Sequence, residues 1–140
     1  MPYTEANYEN AVIEIFRDTL RYDYIYAPDL VRDYADPLYS DELILALHRV
    51  NPTLSDAAIT EAVYKLRNFE SGSTLHKNIQ FMDYLQNGVS VSYYDNKEQR
   101  SSLVRLIDYE KVERNSFIVA NQWTIVENSE KRPEDRKSVV

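Results

Sequence analysis

Few side chains in this sequence can do chemistry. The 140 residues contain no cysteine, which excludes a thiolate nucleophile, a thiolate metal site and a disulfide framework. The two histidines, His48 and His76, stand alone on predicted helices. Neither has the Asp/Ser or second-histidine pattern of a triad or a metal site, so each is expected to be a packing or surface residue. Asn121 and Gln122 interrupt an otherwise apolar strand. Amides in such a place either satisfy backbone groups or face a cleft, and the structural role is the expectation. The carboxylate of most interest is Glu9, seven residues before Phe16. On a helix the two share a side, with Glu9 at the border of the apolar stripe. Its plain reading is a solvated acid favoured by the N-terminal helix dipole. Glu5, one turn earlier, carries the same reading.

The elements that must position these groups fit one domain with a modest core. Hydrophobic residues make up 44% and charged residues 28%, ordinary for a soluble globular chain. No apolar run approaches the length that spans a bilayer. The first residues, MPYTEANYEN, lack both a basic region and an apolar signal core, so the expected compartment is the cytoplasm. The net charge is -7. Arg17, Arg21, Arg32, Lys65, Arg67, Lys97 and Arg100 are scattered rather than aligned, which argues against nucleic-acid binding by this chain alone. Twelve tyrosines against two glycines is the unusual bias. Tyr22, Tyr24 and Tyr26 alternate in YDYIYA, as on a short strand with one ringed face.

Thr4 is the expected N-cap of a first helix whose stripe is Tyr8, Val12, Ile15, Phe16 and Thr19. A strand follows at Tyr22 to Tyr26, then an irregular connection from Leu30 to Tyr39. A second helix from Ser40 or Asp41 carries Leu43, Ile44, Leu47 and Val50, and Asn51-Pro52 stops it. Ser55 caps a third helix that buries Ile59, Ala62, Val63 and Leu66. FESGST is a loop, and a fourth helix near Leu75 to Gln86 ends at Asn87-Gly88. The period then becomes alternating at Val89 to Tyr94. Asp95 to Arg100 reads as a turn and Leu103 to Ile107 as the returning strand of a hairpin. Phe117 to Val126 is a strand apolar on both faces, which belongs inside a sheet and needs a neighbour on each edge. The helix pair joined by Asn51 to Leu54 has the spacing of a helix-turn-helix. Apart from Lys65 and Arg67 it lacks side chains for base edges, so two packed helices are expected.

This order of segments resembles the N-terminal nuclease region of the R (restriction) subunit of type I restriction enzymes. The carrying residues are TEANYENAVIEIF at Thr4 to Phe16, LILALHRVNPTLSDAAITEAVYKL at Leu43 to Leu66, and NGVSVSY at Asn87 to Tyr93. RLIDYEKVERNSFIVANQWTIV at Arg105 to Val126 and then Arg132-Pro133 complete the likeness. The resemblance implies an α/β, restriction-endonuclease-like PD-(D/E)xK fold, a mixed sheet flanked by helices, here incomplete on its C-terminal side. It also implies an aspartate right after Arg-Pro and a Glu-x-Lys on the next strand. In that arrangement two carboxylates hold Mg²⁺, which polarises the scissile phosphate and acidifies a bound water, while the lysine offsets developing charge. Glu9 then takes the position of the family's acid on the first helix, a further carboxylate near the metal. Glu134 stands where the family has its aspartate. Family members add an ATP-driven translocase, and they work on DNA with M (modification) and S (specificity) subunits.

The sequence departs from this pattern after Pro133: no Glu-x-Lys follows, only Glu134 and then DRKSVV at Asp135 to Val140. Residues 1–133 are therefore expected to be nuclease-domain sequence and 134–140 a non-native tail. The common short-read sequencing adapter AGATCGGAAGAGCGTCGTGTAG, read from its second base, encodes Asp-Arg-Lys-Ser-Val-Val and a stop. Its first base would turn an interrupted aspartate codon into the glutamate codon of Glu134. The rival is a native, degenerate C-terminus, and the coding DNA decides between them. On this reading the fragment binds neither Mg²⁺ nor ATP, does not cut DNA, and exposes an edge of the strand Phe117 to Val126, inviting self-association. The alternative function is a free-standing acidic interaction protein that mimics DNA, although its acids are spread among lysines and arginines rather than ranked along one surface.

Overall fold

The computed structural model describes residues 4–69, 72–127, 130–131 and 137–139. Its helices are α1 (Glu5–Glu14), α2 (Ser40–Val50), α3 (Asp56–Arg67) and α4 (Thr74–Asn87). Its strands are β1 (Asp23–Tyr26), β2 (Val89–Asp95), β3 (Glu98–Val104), β4 (Ile118–Trp123), β5 (Val126–Glu127), β6 (Glu130–Lys131) and β7 (Lys137–Val139). The protein is thus a mixed α/β chain with small sheets. It divides into two units: Ser40–Ser116, and Met1–Tyr39 together with Phe117–Val140.

Within Ser40–Ser116, helix starts follow their caps. The Ser55 hydroxyl accepts from Ala58 N at 3.4 Å and the Ser73 hydroxyl from His76 N at 3.1 Å, each satisfying an amide that the first turn leaves open. The core gathers Leu47 from α2, Ala58, Ile59, Ala62 and Val63 from α3, and Val89, Val91 and Val104 from the hairpin β2–β3. Fully burying one such isoleucine or leucine is worth about 1.5–3 kcal/mol. The predicted face of α3 is the buried one, with Ala58 added. Asn51, buried at the end of α2, ties this core together: its amide donates to Leu47 O and Arg105 O, and its Oδ1 accepts from Arg105 N.

Two turns in this unit need positive φ. Gly88 ends α4 at φ 86°, and a Cβ there would lie 2.9 Å from Val104 O, so glycine is the residue that fits. In the hairpin, Asp95 pairs with Glu98. The turn is therefore only Asn96-Lys97, at φ 51° and 67°, the two left-handed residues of a tight hairpin turn. The sequence expectation of a six-residue turn and a strand at Leu103 to Ile107 is corrected: β3 begins at Glu98. Its first half, EQRS, is solvent-facing, so polar composition disguised it as turn.

In the other unit, β1 and β4 pair in parallel from Asp23↔Ile118 to Tyr26↔Asn121. β7 lies antiparallel on the far side of β4, giving the order β1-β4-β7. The apolar strand therefore sits in the middle of its sheet, as its two-sided burial demands. The expectation of an exposed β4 edge is corrected, because Lys137–Val139 supply the neighbour. Glu134 lies outside the described residues, as do the other parts of the expected tail at 135–136 and 140. The small core here is Ala27, Ala120 and Trp123. The Arg32 guanidinium stacks over the rings of Trp123 at 3.9 Å and Tyr34 at 4.6 Å and donates to Thr124 O. Removal from water lowers its pKa from the ordinary arginine value, and the stack ties the irregular connection after β1 to the end of β4.

Helix α1 begins as predicted, with the Thr4 hydroxyl accepting from Asn7 N at 3.2 Å. Of the predicted stripe only Phe16 turns inward. Tyr8, Val12 and Ile15 are exposed, at 63%, 42% and 54%, while Ile13 is buried. After Glu14 the helix widens into a π turn, Ile15–Thr19. Phe16 then meets Tyr22 at 5.1 Å between ring centroids, and Tyr22 meets Phe117 at 5.2 Å. The aromatic column rotates the Glu9–Ile13–Phe16 face inward. Helical spacing reveals a stripe, but the packing partner decides which stripe is covered.

Candidate functional site

The inward turn of α1 brings Glu9 to β4. Glu9 is half-buried, and the Gln122 side-chain amide donates to both of its carboxylate oxygens, at 3.0 and 3.3 Å. The contact joins residues 113 apart in sequence. Gln122 holds a left-handed backbone, φ 57°, which costs a non-glycine residue about 1–2 kcal/mol. Such strain survives where the surroundings over-determine it, and it clusters at functional sites. The neighbouring amide behaves differently. Asn121 is buried and its Oδ1 accepts from the Tyr24 hydroxyl at 2.9 Å, which pins β1 to β4 side chain to side chain. The structural role expected of both amides therefore holds for Asn121, while Gln122 reaches the candidate acid.

Next to this pair, the Arg17 guanidinium lies 6.0 Å from the centre of the Tyr24 ring. It is not a free cation: Nε donates to Asp18 at 2.9 Å. That hydrogen bond holds the Asp18 carboxyl below the usual range. Glu5, also raised by the sequence, is exposed. In the Ser40–Ser116 unit, His48 Nε2 lies 3.3 Å from the exposed Asp56 carboxylate, and His76 is exposed. Neither histidine belongs to a catalytic cluster among the described residues. Lys65, the cation noted at the end of α3, donates to Ser90 O at 2.6 Å, so it works as a bracket between α3 and β2.

The sequence offers Glu9 as a candidate and Gln122 as an unusual amide, but not the contact between them. The available signal was the pair of amides in an apolar strand. The register of α1 against β4 was not available, because it depends on contacts across most of the chain. In the sequence Tyr24 is one ring of an alternating strand, and the role of its hydroxyl is defined by Asn121 beside it.

Magnesium, implied by the family resemblance, needs hard oxygen donors in a near-octahedral array. Among the described residues no group of three or more His, Cys, Asp or Glu side chains converges. Glu9 is a single carboxylate with both oxygens already accepting from Gln122, and Glu134 is outside the described residues. This donor set does not by itself amount to a magnesium site, and no reaction step through the ion follows from it.

The chain matches the family model "Type I restriction enzyme R protein N terminus" over residues 2–134. A protein of Methanocaldococcus jannaschii described as "Putative type I restriction enzyme MjaIXP endonuclease subunit" is 28% identical over 123 residues, 84% of this chain and 12% of the relative. The type I restriction enzyme HindI endonuclease subunit of Haemophilus influenzae is 30% identical over 115 residues, 76% of this chain and 11% of the relative. The chain thus spans about a tenth of the length of the curated relatives it matches. No solved structure matches it. The family match runs through Glu9, Tyr24, Asn121 and Gln122 alike, and the chain belongs to the family of type I restriction enzyme R protein N-terminal regions.

Proposed function

We propose that this chain supplies the scaffold of the endonuclease domain of a type I restriction R subunit, with a restriction-endonuclease-like, PD-(D/E)xK architecture. The observation that carries the reading is Glu9, half-buried on α1 and gripped from β4. In this reading Glu9 is the acid that the first helix contributes to the DNA-cutting centre. A second acid belongs at the position of Glu134, and the lysine belongs to a Glu-x-Lys strand that this sequence does not contain. The intact protein would use Mg²⁺ and ATP, cleave unmodified DNA, and act with M and S subunits in the cytoplasm. A polypeptide of these 140 residues would not cut DNA. Acidic mimicry is less favoured, since several acids are paired with cations, as in Arg17–Asp18, Arg49–Glu42 and Arg100–Asp95.

The test is a chimera. Residues 2–133 replace the matched segment of the Haemophilus influenzae relative, joined to that protein's own following sequence and assembled with its M and S subunits. The chimera is expected to cleave DNA in the presence of ATP and Mg²⁺. Glu9→Ala should abolish cleavage while ATP hydrolysis continues. Cleavage by Glu9→Ala at the unaltered rate would falsify the role given to Glu9.

A further inference from the structure

Gln122 departs from strand behaviour in two ways at one point. Its backbone is left-handed, and the two neighbours of β4 keep different registers around it. Pairing with β1 runs residue for residue from Ile118 to Asn121 and stops just before Gln122. Pairing with β7 shifts between Ala120 and Trp123, since Ala120 faces Val139 while Trp123 faces Lys137. An extra residue on one strand bends it locally and takes a side chain out of the regular alternation. That re-aimed side chain is the amide that donates to both oxygens of Glu9. A glycine would hold this backbone without strain, so what the position gains from glutamine is the reach of two methylenes and the amide at their end. One amide nitrogen reaching both oxygens holds the carboxylate in place and sets the direction in which it faces.

We propose that Gln122 is a positioning residue for Glu9: the irregularity in β4 turns its amide toward α1 and sets the direction in which the Glu9 carboxylate faces. The proposal rests on Glu9 being the first-helix acid of the cutting centre. It assigns Gln122 no contact with DNA. The rival is a plain tie between helix and strand, for which any hydrogen-bonded pair would serve.

Three variants of the chimera separate these. Gln122→Ala removes the amide and keeps the strained backbone; Gln122→Gly removes the amide and relieves the strain. Each should lower the rate of DNA cleavage by about 10- to 100-fold, the range seen when a residue that orients a reactive carboxylate or ligand is lost, with ATP hydrolysis unchanged. In the 140-residue chain, Gln122→Gly should melt no lower than Gln122→Ala. The exchange Glu9→Gln with Gln122→Glu re-forms the hydrogen bonds but moves the negative charge to the strand. It should recover the melting temperature of the 140-residue chain and leave the chimera unable to cleave. Cleavage at the unaltered rate by Gln122→Ala and Gln122→Gly, while Glu9→Ala is inactive, overturns the positioning role alone. Recovery of cleavage by the exchange, or parallel loss of ATP hydrolysis in the Gln122 variants, marks a plain tie and also overturns it. An active Glu9→Ala removes the reading of Glu9 itself.

Discussion

Residues 40–116 build their core from neighbours. Two helices joined by a short turn and a tight hairpin bury eight side chains in one cluster, and most partners lie within a few tens of residues. Among the described residues the other unit gathers three in its cluster, Ala27, Ala120 and Trp123, with Ile13 and Val119 buried apart from them, and it holds β1 to β4 across 97 residues at the Tyr24–Asn121 bond. Closing so long a loop costs entropy before any contact repays it. The contrast teaches where the candidate chemistry sits. Glu9 and Gln122 belong to the unit whose described residues form the smaller cluster and the strained strand, while the acids singled out from the sequence all lie outside the Ser40–Ser116 unit. Regions of low local stability are the ones from which functional and movable elements are drawn.

Replacing the centre of each core should show this difference most strongly. Trp123→Ala removes the largest ring of the smaller cluster and the platform for Arg32, a loss of about 3–5 kcal/mol. Amides of β1 and β4 should then exchange freely with solvent while those of α3 and β2 stay protected. Ile59→Ala, from a side chain only 1% exposed, should cost about 2–5 kcal/mol and lower the urea midpoint of the Ser40–Ser116 unit. If both variants release the same set of amides in hydrogen exchange, the two units unfold as one and the comparison breaks.

Smaller changes sharpen it. Gly88→Ala forces a side chain into positive φ and against Val104 O, and it should destabilise the α4–β2 join by about 1–3 kcal/mol in thermal unfolding. Ser55→Ala removes the cap of α3 and should cost about 1 kcal/mol, readable as a lower urea midpoint.

The smallest expected effect is on pH. The Asp108 carboxyl is held below its usual range by the backbone N–H groups of Lys111 at 2.8 Å and Glu110 at 3.0 Å. Because its folded pKa is depressed, the contribution is present above the ordinary carboxylate pKa of about 4 and is lost as pH falls through the folded value. On acidification the protection of the Glu110 and Lys111 amides, measured against their intrinsic exchange rates at each pH, should fall. Asp108→Ala should make that protection low and insensitive to pH over the same range, and an unchanged protection profile in that variant would remove Asp108 as the cause.

The sequence alone determined what is local. Caps at Thr4, Ser55 and Ser73, the break at Asn51-Pro52 and the glycine after α4 are decided within a turn of chain by unpaired amides and allowed φ values. For that reason α2, α3 and α4 were legible, as was the buried face of α3. The two-sided apolar run of β4 announced an interior strand. The family resemblance makes Glu9 a candidate. The start of β3 was missed because Asn96-Lys97 lacks the usual glycine of a tight turn and the strand after it is polar. Tertiary structure alone decided which face of α1 is covered: the predicted stripe Tyr8–Val12–Ile15–Phe16 and the stripe Glu9–Ile13–Phe16 share Phe16, and the column Phe16–Tyr22–Phe117 selects the second. It also decided that Gln122 would turn left-handed and meet Glu9. That contact spans nearly the whole chain, and no local preference of either residue specifies it.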